Sequence, residues 1–128
     1  MHMKKTAAIA VAFAMVSSAG FAQNYPNRAI TLLVPFAAGG ATDTVARVTA
    51  QSMSKLLGQT IVIENATGAG GTIAATRASR AEPDGYTLMI HHIGISTAAT
   101  LYRKLAYDTK TAFAPIGLVT NAPMTNQF

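Results

Sequence analysis

Short apolar runs and amphipathic stretches alternate along the chain, with glycine at the joins. The run "AITLLVPF" is continuous and rich in β-formers, which reads as a strand buried on both faces, as in a parallel sheet, and Pro35 ends it. The next stretch, "TDTVARVTAQSMSKLLG", has the period of a helix. Val45, Val48, Ser52, Met53 and Leu56 fall on one face, with Arg47, Gln51 and Lys55 opposite. Thr42 is placed as its N-cap, Asp43 suits its positive end, and Gly58 is the expected stop. A second apolar run, "TIVIEN", leads through "ATGAGG" into "TIAATRASRA", which suits a short helix. The turn "EPDG" precedes a third strand in "YTLMIHH". A short helix is expected near Ser96 to Leu101, and a fourth strand in "APIGLVT".

Alternating strands and helices with short connections predict an α/β fold, a mostly parallel sheet flanked by helices. In such sheets ligands bind outside the carboxyl ends of the strands, near a topological switch point. Both glycine turns, "PFAAGGATD" and "GAGGT", fall at those ends, and so does His91-His92. Glycines in such turns, Gly39-Gly40 first among them, let the backbone take positive φ and let a ligand come close to backbone N–H groups. The helix start beyond them adds free donors and a positive dipole end. The arrangement suits an anion such as a carboxylate, phosphate or sulfate; the plainer alternative is that the glycines only permit tight βα turns.

Two nucleotide signatures fail. Neither turn carries the Lys-Ser/Thr pair of a P-loop, and a G-x-G-x-x-G count begun at Gly68 ends on Ile73 with no acid about 20 residues further on. There is no G-x-S-x-G elbow. Adjacent strand residues point to opposite faces, so His91 and His92 are not expected to share a metal, and only one of them is expected to face the cleft. Glu64 and Asp108 read as strand-end and turn residues. Asp43 reads as a helix-start carboxylate whose alternative role is to receive a ligand's amino or hydroxyl group.

Composition narrows the class further. With 128 residues, 50% hydrophobic and 12% charged, the chain is one domain or part of something larger, and it has ample material for a core. The net charge of +5 is scattered, without the basic stripe that nucleic acid requires. Cysteine is absent, which removes disulfides, thiolate metal sites and cysteine nucleophiles. At the amino end, Lys4 and Lys5, the apolar stretch Ala7 to Val16, and the small residues up to Ala22 have the layout of a secretory signal peptide. Residues 1–22 are therefore expected to be removed, leaving residues 23–128 as a periplasmic chain.

The segments "YPNRAI", "VPFAAGGATD", "GQTIVIEN", "GAGGTIA", "PDGYTL" and "LYRKLAYD" occur in an order and spacing that resemble the Bug proteins, the extracytoplasmic solute receptors of tripartite tricarboxylate transporters. The resemblance runs from Tyr25 to about Thr120. It implies a type II periplasmic-binding-protein fold that closes on a small carboxylate and delivers it to a membrane permease, with no cofactor and no metal. It also implies that Phe36, Gly39, Gly40, Thr42 and Asp43, then Gly68, Gly70 and Gly71, line the cleft, with His92 to Ser96 on the loop after the third strand. Ala106 and Thr109 stand where that family usually has proline. The family runs on into a second lobe where this chain stops at "TNQF", so an incomplete first lobe is expected. The alternatives are a truncated remnant without function, or a periplasmic α/β enzyme using His92.

Overall fold

The first apolar run forms β1 (Ile30–Val34), the middle strand of a three-stranded parallel sheet in a computed structural model that describes residues 25–121. The expected signal peptide lies outside those residues. The helix α1 (Ala41–Leu57) carries the chain to β2 (Ile61–Asn65) on one side of β1. A single 3-10 turn, Ala69–Gly71, and the helix α2 (Thr72–Ser79) carry it back across to β3 (Thr87–Met89) on the other side. The helix α3 (Gly94–Leu101) follows. The register places Ile30 beside Ile61 and Val34 beside Asn65, and Leu32 beside both Ile63 and Leu88.

Alternation along β1 decides what each face meets. Ile30, Leu32 and Val34 point to one face and bury against Ala46 and Ala50 of α1, together with Ile61 and the partly buried Met53, Ile63, Leu88 and Ile90. Thr31 and Leu33 point to the other face, toward Thr72, Ile73 and Thr76 of α2, where they line an open groove of about 610 Å3. Crossovers between parallel strands are right-handed, so two crossovers in opposite directions put α1 and α2 on opposite faces. The first crossover runs from β1 out to β2 and the second returns past β1 to β3, so the strand order reverses between β1 and β3 and the gap between their carboxyl ends is the switch point.

At the opposite end of the sheet a clasp joins the start of the described chain to the turn before β3. The Tyr25 hydroxyl donates to the Gly85 carbonyl at 2.7 Å, and Arg28 pairs with Asp84 at 2.7 Å while lying 3.9 Å over the Tyr86 ring. The Asn27 N–H donates to the Tyr86 hydroxyl, which in turn donates to the Asn27 side-chain oxygen, both at 2.9 Å.

Several sequence expectations change. The core face of α1 is Asp43, Ala46 and Ala50, whereas Val48 and Leu56 are exposed. Close approach to a sheet favours alanine there, and the larger side chains turn outward. Gly40, not Thr42, is the N-cap, and no side chain caps that end. The third strand stops at Met89, two residues before the histidines. Residues 114–120 form no strand: the segment finds no sheet edge among the described residues, and Ile116 and Leu118 are exposed.

Candidate functional site

The loop after β1 is shaped around one buried carboxylate. Pro35 is buried, and the Gly40 N–H closes a tight turn on the Ala37 carbonyl at 3.2 Å. Asp43 in the first turn of α1 reaches back: its Oδ2 accepts the Gly39 N–H at 2.8 Å and Arg47 Nε at 2.8 Å. Its Oδ1 accepts Arg47 Nη2 at 3.2 Å and Asn65 Nδ2 at 2.9 Å. These four bonds occupy the acceptor sites of the carboxylate. The Arg47 guanidinium first, then the Gly39 N–H and the Asn65 amide, hold its pKa well below the usual carboxylate range. Asp43 is therefore engaged in shaping the turn. The first bond into the helix is from the Thr44 N–H to the Gly40 carbonyl at 2.9 Å, so the N–H groups of Ala41, Thr42 and Asp43 have no helical acceptor. Positive φ belongs to Gly39, at 83°, while Gly40 sits at −76°, an ordinary value; only one of the two adjacent glycines meets the conformational need expected of both.

Asn65 also couples this loop to the next. Its Nδ2 donates to the Phe36 carbonyl at 2.9 Å as well as to Asp43, and β2 ends on this residue just before the second glycine turn. That turn runs through four consecutive residues at positive φ: Gly68 at 122°, Ala69 at 45°, Gly70 at 62° and Gly71 at 93°. Gly68, with ψ 159°, lies in a region that only glycine occupies readily, and Ala69 carries strain that a glycine would not. The turn is closed by the Gly71 N–H donating to the Gly68 carbonyl at 2.9 Å and by the Thr72 hydroxyl donating to the Ala69 carbonyl at 2.9 Å.

At the switch point three rings gather. Phe36, from the β1 loop, stacks on His92 with centroids 4.7 Å apart and meets the edge of His91 at 5.9 Å. The two histidines lie 5.1 Å apart, on one side of the chain rather than on opposite faces, because the strand has ended before them and extended alternation no longer applies. Their tautomers follow from their partners. The Gly94 N–H donates to His92 Nδ1 at 2.8 Å, so His92 carries its proton on Nε2 and presents a donor. His91 Nδ1 faces the His92 carbonyl at 2.9 Å, so that nitrogen carries the proton. The His91 Nε2 lies 2.5 Å from where a Cβ on Gly71 would stand. Ser96, in the first turn of α3, is exposed, and its N–H donates to the Ile93 carbonyl at 3.0 Å.

Burial pushes the His91 pKa below its ordinary value. The unfolded chain then takes up this proton before the folded one does, so stability is lost as pH falls through about 6.5 toward the folded value. Thermal unfolding followed between about pH 7.5 and 5.5 is expected to show a falling midpoint, and His91→Gln is expected to flatten that slope. An unchanged slope in the variant would assign the proton elsewhere.

The structure thus brings Phe36, Gly39, Gly40, Thr42, Asp43, Gly68, Gly70, Gly71 and His92 to the carboxyl ends of the strands, with Ser96 on the helix beyond. Sequence reasoning missed Arg47 and Asn65, and it expected only one of His91 and His92 at the cleft, where both rings meet Phe36. The spacing of Asp43 and Arg47, four apart on a helix, was a usable signal; the reach of Asn65 across to Phe36 had none. The groove on the sheet flank is lined by none of these residues.

Residues 45–126 match the tripartite tricarboxylate transporter family receptor. The Agrobacterium vitis protein "UPF0065 protein in the TAR-I ttuE-ttuC' intergenic region" is 52% identical over 102 residues, covering 80% of this chain and 30% of that one. Among solved structures, the periplasmic binding protein BugD superposes with a TM-score of 0.71 at 54% identity, covering 73% of this chain and 31% of its own. MatC from Rhodopseudomonas palustris with bound malate superposes with a TM-score of 0.71 at 51% identity, covering 74% and 33%. The chain spans about a third of the length of these relatives.

Proposed function

The chain belongs to the tripartite tricarboxylate transporter receptor family, and from that premise we propose that residues 25–121 supply one wall of a periplasmic site for a small carboxylate, which the whole receptor delivers to a membrane permease. The observation that carries this reading is the row of N–H groups on Ala41, Thr42 and Asp43 without helical acceptors, held open by the bond between Gly39 and Asp43. These donors and the positive end of a 17-residue helix favour a bound anion. Gly39 and Gly40 keep the approach free of side chains, and Phe36 forms the apolar edge. Gly68, Gly70 and Gly71 open the second turn in the same way. His92 Nε2–H and the Ser96 hydroxyl serve the far end of the ligand, and Asp43 holds the first turn in shape. MatC with bound malate, at 51% identity, supports the ligand class. Residues 1–22 direct export.

The test is an amide NMR titration of the whole chain with malate, glutarate and citrate. Shifts that saturate at Ala41–Asp43 and Gly68–Gly71 are expected from at least one of them. If none moves these amides in a folded chain, or if sulfate and phosphate move them while every carboxylate leaves them still, the proposal fails.

A further inference from the structure

The segment "LYRKLAYD" contributes nothing to the site as described so far, yet its tyrosine reaches the second glycine turn. The chain leaves α3 at Tyr102, whose N–H donates to the Ala98 carbonyl at 2.9 Å and whose backbone is extended, with φ −111° and ψ 122°. This swings the phenol off the helix and onto Gly70. The hydroxyl oxygen lies 2.6 Å from where a Cβ on Gly70 would stand, with the ring carbons Cζ and Cε2 at 3.6 and 3.7 Å. The tip of the side chain, not its edge, is what meets the turn. Tyr102 is exposed, at 36%, and among the described residues its hydroxyl has no hydrogen-bond partner, which leaves it open to one from a ligand. The other end of α3 is fixed at the first turn, where His92 stacks on Phe36 and accepts the Gly94 N–H. One short helix therefore spans the two glycine turns and places a neutral donor at each end.

We infer that Tyr102 is a ligand-contacting, specificity-determining residue of this site: its hydroxyl donates to a carboxylate oxygen held at the Gly68–Gly71 turn. The inference rests on the carboxylate-binding reading above. A neutral O–H gains most from a charged acceptor, so it favours an ionised carboxylate over an amide or ester of the same shape. Gly70 is glycine for two reasons at once: its φ of 62° disfavours a side chain, and the phenol fills the space a side chain would need.

Tyr102→Phe removes the donor and keeps the ring. With malate as the probe and amide shifts as the readout, the whole chain carrying Tyr102→Phe is expected to bind about 10- to 100-fold more weakly, the range for a lost bond to a charged group. The shifts at Gly70 and Gly71 should shrink most, while those at Ala41–Asp43 persist at saturation and the thermal midpoint stays where it was. Equal malate affinity in parent and variant would overturn the inference and leave the carboxylate reading standing. A weaker affinity accompanied by a lower thermal midpoint and an even loss of shifts at both turns would overturn it as well, since that is the mark of a packing role. If the folded parent shows no saturable shift at either turn, the carboxylate reading falls and takes this inference with it.

Discussion

Gly71→Ala is expected to cost about 2–5 kcal/mol of unfolding free energy, roughly 1–2 for the left-handed backbone and 1–3 for overpacking. Gly71 is buried at φ 93°, and an added Cβ would stand 2.5 Å from His91 Nε2 and 3.1 Å from both His91 Cε1 and Pro35 Cβ. His91 has no easy retreat, since its ring is flanked by Phe36 and His92 and its Nδ1 is bonded to the His92 carbonyl. Two other glycines separate the contributions. Gly58 at φ 66° and Gly39 at φ 83° have nothing within 4 Å of an added Cβ, so alanine at either should cost only the backbone share, about 1–2 kcal/mol. Urea unfolding of the three variants, compared at constant slope, measures the difference. Equal losses at positions 58 and 71 would mean that the ring cluster yields freely.

Asp43→Asn is expected to lower the thermal midpoint by about 5–10 °C, as leaving a buried donor without its acceptor does, since the Arg47 partner is itself about half exposed. The substitution sets an NH2 group where a carboxylate accepts from Gly39, Arg47 and Asn65, so at least one donor must face another. The first glycine turn should loosen with it, because the Gly39 N–H loses its acceptor. A second signature is the pH profile. The folded pKa of Asp43 is depressed, chiefly by Arg47, so its stabilisation is present above the unfolded value and is lost as pH falls below about 4. Parent protein should therefore lose stability on acidification through that range, and the variant should lack that part of the loss. A variant with the parent's midpoint and the parent's acid limb would show that the carboxylate contributes nothing through these bonds.

The order of β1, α1, β2, α2 and β3 was legible because each apolar run is bounded by proline or glycine, and because both helices begin just after such a turn. What escaped the sequence depends on distance in space. Hydropathy ranks Val48 and Leu56 above Ala46 and Ala50, but a helix lying close on a sheet buries the small residues. The run "APIGLVT" has the composition of a strand, and composition does not supply an edge to pair with. Two adjacent glycines announce a turn without saying which one needs the left-handed backbone; Gly39 does. The family motifs pointed to loops that the structure gathers at the carboxyl ends of the strands. They did not place Arg47 or Asn65 around the Asp43 carboxylate, or Tyr102 over Gly70, since each of these meetings depends on how separate elements turn toward one another.

The middle position of β1 has a consequence for how the protein is made. Of the three strands it is synthesised first, yet both of its neighbours come later, and the clasp between Arg28 and Asp84 joins residues 56 apart. A nascent chain that has reached the end of α2 can pair β1 with β2 but still presents the other edge of its most apolar strand to solvent. Such an edge recruits other chains. Ribosome-arrested chains from which the segment up to the end of α2 has emerged are therefore expected to be held by chaperones and to be protease-sensitive, and protection should appear only once Thr87–Met89 has also cleared the exit tunnel and closed the second edge.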